Sequence, residues 1–264
     1  MNLHLENKTA FVTGSTAGIG FAIAQALAAE GAHVIVNGRT QARVDTALAA
    51  IRKGAPRGKI DGIAADLGNR AGCDLAVSTF PSVDILVNNL GIFEPKAFEQ
   101  IPDADWHRFF EVNVMSGVRL SRAYLPGMKK KNWGRIIFIS SESGVQIPAE
   151  MVHYGMTKTA QIAIARGMAE TCAGTKVTVN SVLAGPTASE GVTQFVAALA
   201  KEQNLSPAEF EKEFFRNVRP SSLLKRFIKP EEIAATVAFV CSPASSAING
   251  AALRADGGVV KAAF

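Results

Sequence analysis

Three polar residues near the middle of the chain, Ser141, Tyr154 and Lys158, have the types and spacing for acid–base chemistry at a carbonyl group. Tyr154 and Lys158 are four residues apart in a segment predicted to be helical, so the phenol and the ammonium share one helix face. A free tyrosine has a pKa of about 10, and a neighbouring cation lowers it. Ser141 ends an apolar run with β-propensity, thirteen residues before Tyr154. A hydroxyl donor, a tunable acid or base and a fixed cation suit the interconversion of a carbonyl and an alcohol.

The composition is typical of one α/β domain that acts on small molecules. The chain has 264 residues, of which 48% are hydrophobic and 19% charged, enough to bury a large core. The net charge is +5, but the only basic run, 129–131, ends a predicted helix, where cations complement the helix dipole. No basic stripe or aromatic platform accompanies it, so we expect no nucleic-acid binding. A mild positive field also suits an anionic dinucleotide.

The cysteines and the N-terminal residues favour a cytoplasmic protein without metal. Cys73, Cys172 and Cys241 are far apart, and no His/Cys cluster accompanies them, so neither a disulfide framework nor a metal site is expected. The first eight residues lack the apolar core of a signal peptide. No stretch approaches the roughly eighteen consecutive apolar residues of a membrane helix, so we expect no membrane partner.

A glycine-rich string near the N-terminus predicts a phosphate-binding turn. An apolar run with β-propensity at 9–13 leads into it, and strong helix formers at 21–29 follow. Glycines in this context permit a tight turn, close approach of a pyrophosphate and close packing of helix on strand, and the helix N-terminus supplies amide donors. A plain strand-to-helix turn is the alternative. The string consists of Gly14, Ser15, Thr16, Ala17, Gly18, Ile19 and Gly20.

Strands and helices are predicted to alternate along the whole chain, which is typical of a doubly wound parallel sheet with ligands at the carboxyl ends of its strands. No linker divides the chain, so 1–264 is expected to form a single domain with about seven strands. Pro126 is expected to bend or end the helix that starts near Asp103 and carries Asn113. The predicted strands are 9–13, 33–36, 59–65, 83–87, 135–140, 176–182 and 249–254.

Residues 188–220 interrupt this alternation and predict a helical insertion. They form two amphipathic patterns, and a lid over the substrate and a static packing excursion both remain open. The phenylalanines of the insertion favour a bulky or apolar ketone if they face the site, and simple packing on the core is the other interpretation. The apolar faces comprise Val192, Phe195, Val196 and Leu199, followed by Phe210, Phe214, Phe215 and Val218.

Taken together, these motifs resemble those of the short-chain dehydrogenase/reductase family over essentially the whole chain. The resemblance implies a Rossmann-type fold, a nicotinamide dinucleotide and hydride transfer at a CH–OH or C=O group. A member similar to 3-oxoacyl-carrier-protein reductases, assembled as a homotetramer or homodimer, is expected. The motifs that carry the likeness are the string 13–20, the turn 88–91, Asn113, Ser141, Tyr154 and Lys158.

The resemblance also implies roles for individual residues. Tyr154 would be the acid or base, and Ser141 would donate a hydrogen bond to the substrate oxygen. Lys158 would bind the nicotinamide ribose and lower the tyrosine pKa, while Asn113 would hold a water in the proton relay. The cofactor would be bound by the glycine string from Gly14 to Gly20, Asp66 at the adenine, Leu67 beside it, Asn88 and Gly91 in the groove, and Thr187 at the carboxamide. Two positions depart from the family pattern: Leu90 replaces an alanine, and Gly185-Pro186 reverses the usual Pro-Gly order.

The end of the second predicted strand bears on the choice of cofactor. An acidic residue there binds the ribose 2′-hydroxyl of NAD, whereas a nearby arginine accommodates the 2′-phosphate of NADP. The acidic position is Gly38 and Arg39 follows, with Asn37 as a further neutral donor, so we expect NADP(H), with NAD(H) as the alternative. Ala17 counts against this preference, because NADP-dependent relatives often place a second basic residue there.

The favoured function is therefore NADPH-dependent reduction of a ketone, or the reverse oxidation. The rival interpretation is a dinucleotide-binding regulatory protein that keeps the fold without catalysis. The intact Ser141, Tyr154 and Lys158 favour the enzyme.

Overall fold

Seven parallel strands form one sheet in the order β3-β2-β1-β4-β5-β6-β7. The computed structural model describes residues 2–55, 58–193, 196, 200 and 205–263. The central strands β1, β4, β5 and β6 are buried almost throughout, as expected when helices cover both faces of a parallel sheet. The strands are β1 Thr9–Val12, β2 His33–Gly38, β3 Ile60–Ala64, β4 Ile85–Asn88, β5 Gly134–Ser141, β6 Val177–Ala184 and β7 Ala252–Ala255.

Two apolar cores, one on each face of the sheet, hold the helices in place. Alternate side chains of one strand enter opposite cores, as Phe11 and Val12 do in β1. One core includes residues of α1, α2 and α8, and the other includes residues of α3, α5 and α6. The helices are α1 Gly18–Ala29, α2 Gln41–Gly54, α3 Arg70–Thr79, α4 Asp103–Phe110, α5 Ser116–Lys131, α6 Val152–Glu170, α7 Pro207–Glu213 and α8 Pro230–Cys241.

The structure confirms the predicted fold class and corrects two local expectations. Pro126 does not end its helix, since α5 continues to Lys131 and stops at Asn132 in the left-handed region (φ 52°). Leu120 and Tyr124 bury this helix against the sheet, and that packing offsets the backbone hydrogen bond that proline cannot make. Helix α3, between β3 and β4, was not among the elements predicted from the sequence. It begins after Asn69, whose side chain accepts from the Gly72 N–H at 2.9 Å.

The insertion 188–220 is here called the cap, and its described residues include several that line the cavity at the carboxyl ends of the strands. Residues 190–193 are helical, and α7 runs on into a π-helical turn, Phe214–Val218. Phe215 is buried, with its ring centroid 5.1 Å from those of both Phe214 and Phe227. These aromatic contacts fasten the cap to the domain. Two members of the predicted apolar faces, Phe195 and Leu199, lie outside the described residues.

Within the described ranges, no helix has the length and apolarity needed to cross a bilayer. The three cysteines are buried and free. The same ranges contain no cluster of three or more His, Cys, Asp or Glu side chains that could hold a metal ion.

Candidate active site

The carboxyl ends of the strands open into a cavity of about 600 Å³ that the cap covers. Strand β5 delivers Ser141 to it, and α6 delivers Tyr154 and Lys158. The structure thus brings together the three residues whose chemistry the sequence singled out. The cap contributes Val192, Val196, Phe210, Phe214, Val218 and Arg219 to the lining.

Lys158 is held in a fixed position beside Tyr154. Its Nζ lies 5.5 Å from the centre of the Tyr154 ring and donates to the Ile139 carbonyl oxygen at 2.8 Å. A second donation goes to Gln161 Oε1 at 3.3 Å. Burial lowers the pKa of Lys158 to about 8, and the Glu142 carboxylate opposes that shift. The lysine is therefore cationic through most of the neutral range, but less firmly than a lysine in water.

The environment of Tyr154 corrects the sequence-based expectation for its pKa. Burial raises the pKa of the phenol, and the nearby Glu142 carboxylate raises it further, while Ser141 and Arg219 act in the opposite direction. The predicted lowering by Lys158 is not found in this environment. Loss of water and a neighbouring carboxylate both disfavour the phenolate. Tyr154 is consequently poised as a proton donor.

Glu142 is a buried carboxylate directly beside the catalytic candidates. The Ser141 hydroxyl donates to its Oε2, which also accepts from the Ser143 N–H at 2.7 Å and the Ser143 hydroxyl at 3.0 Å. Only 4% of Glu142 is exposed, and it lines the cavity.

Arg219, at the end of the cap, is a site residue that sequence reasoning missed. Its Nε donates to Glu142 Oε1 at 3.0 Å, and its Nη1 donates to Glu150 Oε1 at the same distance. These contacts tie the cap to the segment that joins β5 to α6. Glu142 and Arg219 are 77 positions apart, so no local pattern could have indicated the pair.

Asn113 supports the site from a π-helical turn, Glu111–Met115, between α4 and α5. Its side chain accepts from the Ile92 N–H at 2.7 Å and donates to the Ile92 carbonyl oxygen at 2.9 Å. Its backbone carbonyl oxygen accepts from Gln161 Nε2 at 2.6 Å. The side chain therefore fixes the loop after Gly91, and a water-holding role remains a prediction.

The glycine string forms a close-packed turn at the N-terminus of α1. Gly14 and Gly18 have φ values of 58° and 57°, in the left-handed region that favours glycine. A side chain at Gly20 would place its Cβ 2.4 Å from Asn89 Nδ2. The backbone conformation and close packing of the turn therefore require glycine at these positions, as the predicted phosphate-binding turn does.

The other residues of the string have different surroundings. Ser15 is buried, and its hydroxyl donates to the Val12 carbonyl oxygen at 2.7 Å, so its side chain holds β1 in place. Thr16 packs against Gly38, whereas Ile19 lines the cavity.

The turn after β4 places the asparagines differently from the expectation. Asn88 is buried and donates to Ser121 Oγ at 3.1 Å, so its side chain faces α5 rather than the groove. Asn89 lines the cavity instead, and its Nδ2 donates to the Thr13 carbonyl oxygen at 2.9 Å. Asn88 ends β4 and Asn89 follows it directly. Because successive residues of an extended chain point to opposite faces, the Asn89 side chain rather than that of Asn88 faces the cavity.

The remaining candidates divide between groove and core. Gly91 lies beside Lys158, since a Cβ built on it would be 3.5 Å from Nζ. Thr187 lines the cavity, and Asp66 is exposed with its Oδ1 accepting from the Gly68 N–H at 3.0 Å. The Leu67 side chain is buried in the core, so only its backbone is available to a cofactor.

The end of β2 carries no carboxylate, and a cation follows it in sequence. A Cβ at Gly38 would lie 2.5 Å from Thr16 Cγ2, so an acidic side chain could enter only if Thr16 moved. Arg39 is exposed. Asn37 is not the free donor expected, because its side chain accepts from the Gly14 N–H and donates to the Ala65 carbonyl oxygen, both at 3.0 Å. The amide holds the glycine turn on β2.

Comparison with known proteins agrees with this geometry. A sequence model of the family described as short chain dehydrogenase matches residues 8–200. The chain belongs to the short-chain dehydrogenase/reductase family. It is 52% identical over 264 residues to the uncharacterized oxidoreductase YvaG of Bacillus subtilis (strain 168), with 100% of both chains covered.

Solved structures of the family are similar over the full length. L-sorbose reductase from Gluconobacter frateurii, complexed with NADPH and L-sorbose, is 29% identical with a TM-score of 0.93, covering 99% of this chain and 100% of its own. A 7α-hydroxysteroid dehydrogenase, complexed with NADH and 7-oxo glycochenodeoxycholic acid, is 30% identical with a TM-score of 0.84, covering 100% and 98%. The chain is thus an oxidoreductase of this family, acting between alcohol and ketone with a nicotinamide dinucleotide.

The two departures from the family pattern are accommodated locally. Leu90 packs partly buried against the core, and its N–H donates to Thr13 Oγ1 at 2.9 Å. A Cβ at Gly185 would lie 2.4 Å from the Asp256 carbonyl oxygen, so the strand end needs glycine there. The Gly185 carbonyl oxygen accepts from the Thr187 hydroxyl at 2.8 Å.

Proposed function

We propose that this protein reduces a ketone with NADPH, or oxidises the corresponding secondary alcohol, by means of Ser141, Tyr154 and Lys158. The observation that carries the proposal is their convergence in one cavity, which Ile19 and Gly91 of the predicted cofactor groove also line. The residues fit such a cofactor, since the left-handed backbone at Gly14 and Gly18 and the close packing at Gly20 form the kind of glycine turn that dinucleotide sites use. When bound, the cofactor supplies or accepts the hydride.

In the direction of reduction, Tyr154 donates the proton and Lys158 lies beside it. The phenol donates its proton to the substrate oxygen as negative charge develops there. Lys158 lies beside the ring, with its Nζ 5.5 Å from the ring centre. Two of its three N–H groups donate to Ile139 and Gln161, and the third is available to a ribose hydroxyl. The raised pKa of Tyr154 extends the pH range over which the phenol is protonated and can donate its proton.

Ser141 has to change partner to take part. Its hydroxyl donates to Glu142 in the structure, so its proton must turn toward the substrate oxygen when a ketone binds. Ser143 lowers the free-energy cost of this hydroxyl rotation, because its N–H and hydroxyl continue to donate to the same Glu142 oxygen. Serine then stabilises the developing alkoxide as an oriented donor.

The preference for NADPH rests on the end of β2. Gly38 cannot repel a 2′-phosphate, and the exposed Arg39 can pair with one bidentately. The similar L-sorbose reductase was solved with NADPH, whereas the 7α-hydroxysteroid dehydrogenase was solved with NADH, so the fold accepts both. Kinetics with each cofactor at matched concentrations test the preference, and equal or better turnover with NADH would contradict it.

The cavity walls favour a neutral ketone with an apolar body. Phe93 and Phe214 supply apolar surface. The charged side chains of the lining carry one net negative charge, since three are carboxylates and two are cations: Glu142, Glu150, Glu213, Lys158 and Arg219. A carboxylate near the reacting carbonyl would be repelled by that charge. We therefore expect higher kcat/KM for neutral ketones than for keto acids of the same size.

The proposal is tested by NADPH oxidation over a panel of ketones, with the Tyr154→Phe variant as the matched control. Turnover by the wild-type protein that the variant lacks is the expected result. Binding of NADPH without turnover across the panel would favour the regulatory dinucleotide-binding protein instead.

We also propose a homotetramer or homodimer, and light scattering after size-exclusion chromatography would contradict it by returning a monomer mass.

A further inference from the structure

Gln161 joins two parts of the site that are distant in sequence. It lies one turn after Lys158 on α6 and is only 1% exposed. Its Oε1 accepts from Lys158 Nζ at 3.3 Å, and its Nε2 donates to the Asn113 backbone carbonyl oxygen at 2.6 Å. Both ends of one amide are thus used, one by the lysine and one by the π-helical turn.

We propose that Gln161 is a positioning residue, whose amide holds the Lys158 ammonium beneath Tyr154 and anchors it to the turn that carries Asn113. The inference rests on the proposed function for the role of Lys158 in the reaction. The contact itself stands on the geometry alone.

The Lys158 ammonium is a buried cation with few hydrogen-bond acceptors around it. Lys158 is 5% exposed, so its ammonium has largely lost water and depends on protein acceptors. Two acceptors are present among the described residues, the Ile139 carbonyl oxygen and the Gln161 amide oxygen. A hydrogen bond to the charged form favours that form, so Gln161 stabilises the ammonium over the neutral amine.

The surroundings of Lys158 isolate this effect. Among the described residues, the titratable groups that face it are Tyr154 on the same helix and Glu142 after β5. Strand β5 presents the neutral Ile139 carbonyl oxygen, and α6 presents the neutral Gln161 amide, which is bonded in turn to the Asn113 carbonyl oxygen of the π-helical turn. A change at position 161 therefore alters one neutral partner of the cation without removing a charge.

Two substitutions of similar shape give opposite predictions. Gln161→Met keeps the length of the side chain but removes the acceptor, which destabilises the ammonium and shifts its titration to lower pH. Gln161→Glu adds a carboxylate at the same place, which stabilises the ammonium and shifts the titration to higher pH. Each shift is expected to be about one pH unit, the size of effect that one close charge or hydrogen bond exerts on a buried group.

The measurement is an NMR titration of the full-length protein labelled with 13C at lysine Cε, without substrate or cofactor. The Lys158 resonance is assigned by its absence from Lys158→Met, and its midpoint in the wild-type protein is expected near the lowered pKa of about 8. Thr159→Val is the matched control. It removes hydrogen bonds to the Gly144 and Gly155 carbonyl oxygens at the residue that directly follows Lys158, and it should leave the midpoint unchanged.

Shifts of opposite sign support the proposal, and unchanged midpoints or shifts of the same sign overturn it. If Gln161→Met does not fold, the upward shift in Gln161→Glu decides alone. In the active enzyme, the alkaline limb of the kcat/KM profile should move with the titration, because a cation is lost as pH rises through its pKa. Opposite shifts in a protein that reduces no ketone would refute the proposed function while the role of Gln161 in holding Lys158 stands.

Discussion

Arg219 makes two ion pairs of equal length that should differ widely in energy. Its guanidinium donates to Glu142 and to Glu150 at 3.0 Å in both cases, so distance alone predicts equal contributions. The Glu142 side chain is 5% exposed, whereas that of Glu150 is 45% exposed. We predict that Glu142→Gln lowers the free energy of unfolding much more than Glu150→Gln does.

The magnitudes follow from burial. Removing one partner of a buried pair costs about 3–5 kcal/mol, because the other charge is left without compensation. Glutamine still accepts from Arg219 and Ser143, so we expect the lower end, about 3 kcal/mol, for Glu142→Gln. A solvent-exposed pair contributes about 0–1 kcal/mol, so Glu150→Gln should fall in that range.

Urea unfolding at one fixed protein concentration measures both values. For a chain of this size the free energy of unfolding falls by about 3 kcal/mol for each molar of urea. Glu142→Gln should therefore lower the urea concentration at the unfolding midpoint by about 1 M. Glu150→Gln should lower it by less than about 0.3 M. Arg219→Met completes a double-mutant cycle with each carboxylate. Equal losses for the two glutamate variants, or equal coupling energies in the two cycles, would refute the argument that burial decides.

Three further predictions concern the chemistry. Tyr154→Phe should lower kcat by at least about 10²-fold while NADPH affinity persists, because the ring remains and only the proton donor is lost; a tenth of the wild-type activity would contradict the assignment. Arg39→Ala should weaken NADPH binding by about 1.5–3 kcal/mol and leave NADH binding nearly unchanged, as measured by calorimetry. Glu142→Gln should move the onset of alcohol oxidation to lower pH. The carboxylate helps to raise the pKa of Tyr154, so the phenolate forms more readily when the carboxylate is removed. An unchanged onset in the pH–rate profile would mean that Tyr154 does not sense Glu142.

The sequence by itself determined the fold class and the core of the candidate site. Alternating strand and helix patterns predicted the parallel sheet, because side-chain periodicity is local information. The i, i+4 spacing placed Tyr154 and Lys158 on one helix face, and the strand end placed Ser141 opposite them, because covalent connection imposes both relations. The glycine string was recognisable for the same reason.

Only the tertiary structure decided which neighbours these residues have. The contacts between Glu142 and Arg219 and between Asn113 and Gln161 span 77 and 48 positions, and no local pattern encodes them. The pKa of Tyr154 is raised rather than lowered, because loss of water and the proximity of Glu142 outweigh what the helix spacing predicts. Local spacing determines which groups can meet, whereas solvent exclusion and long-range packing determine how strongly they act on one another.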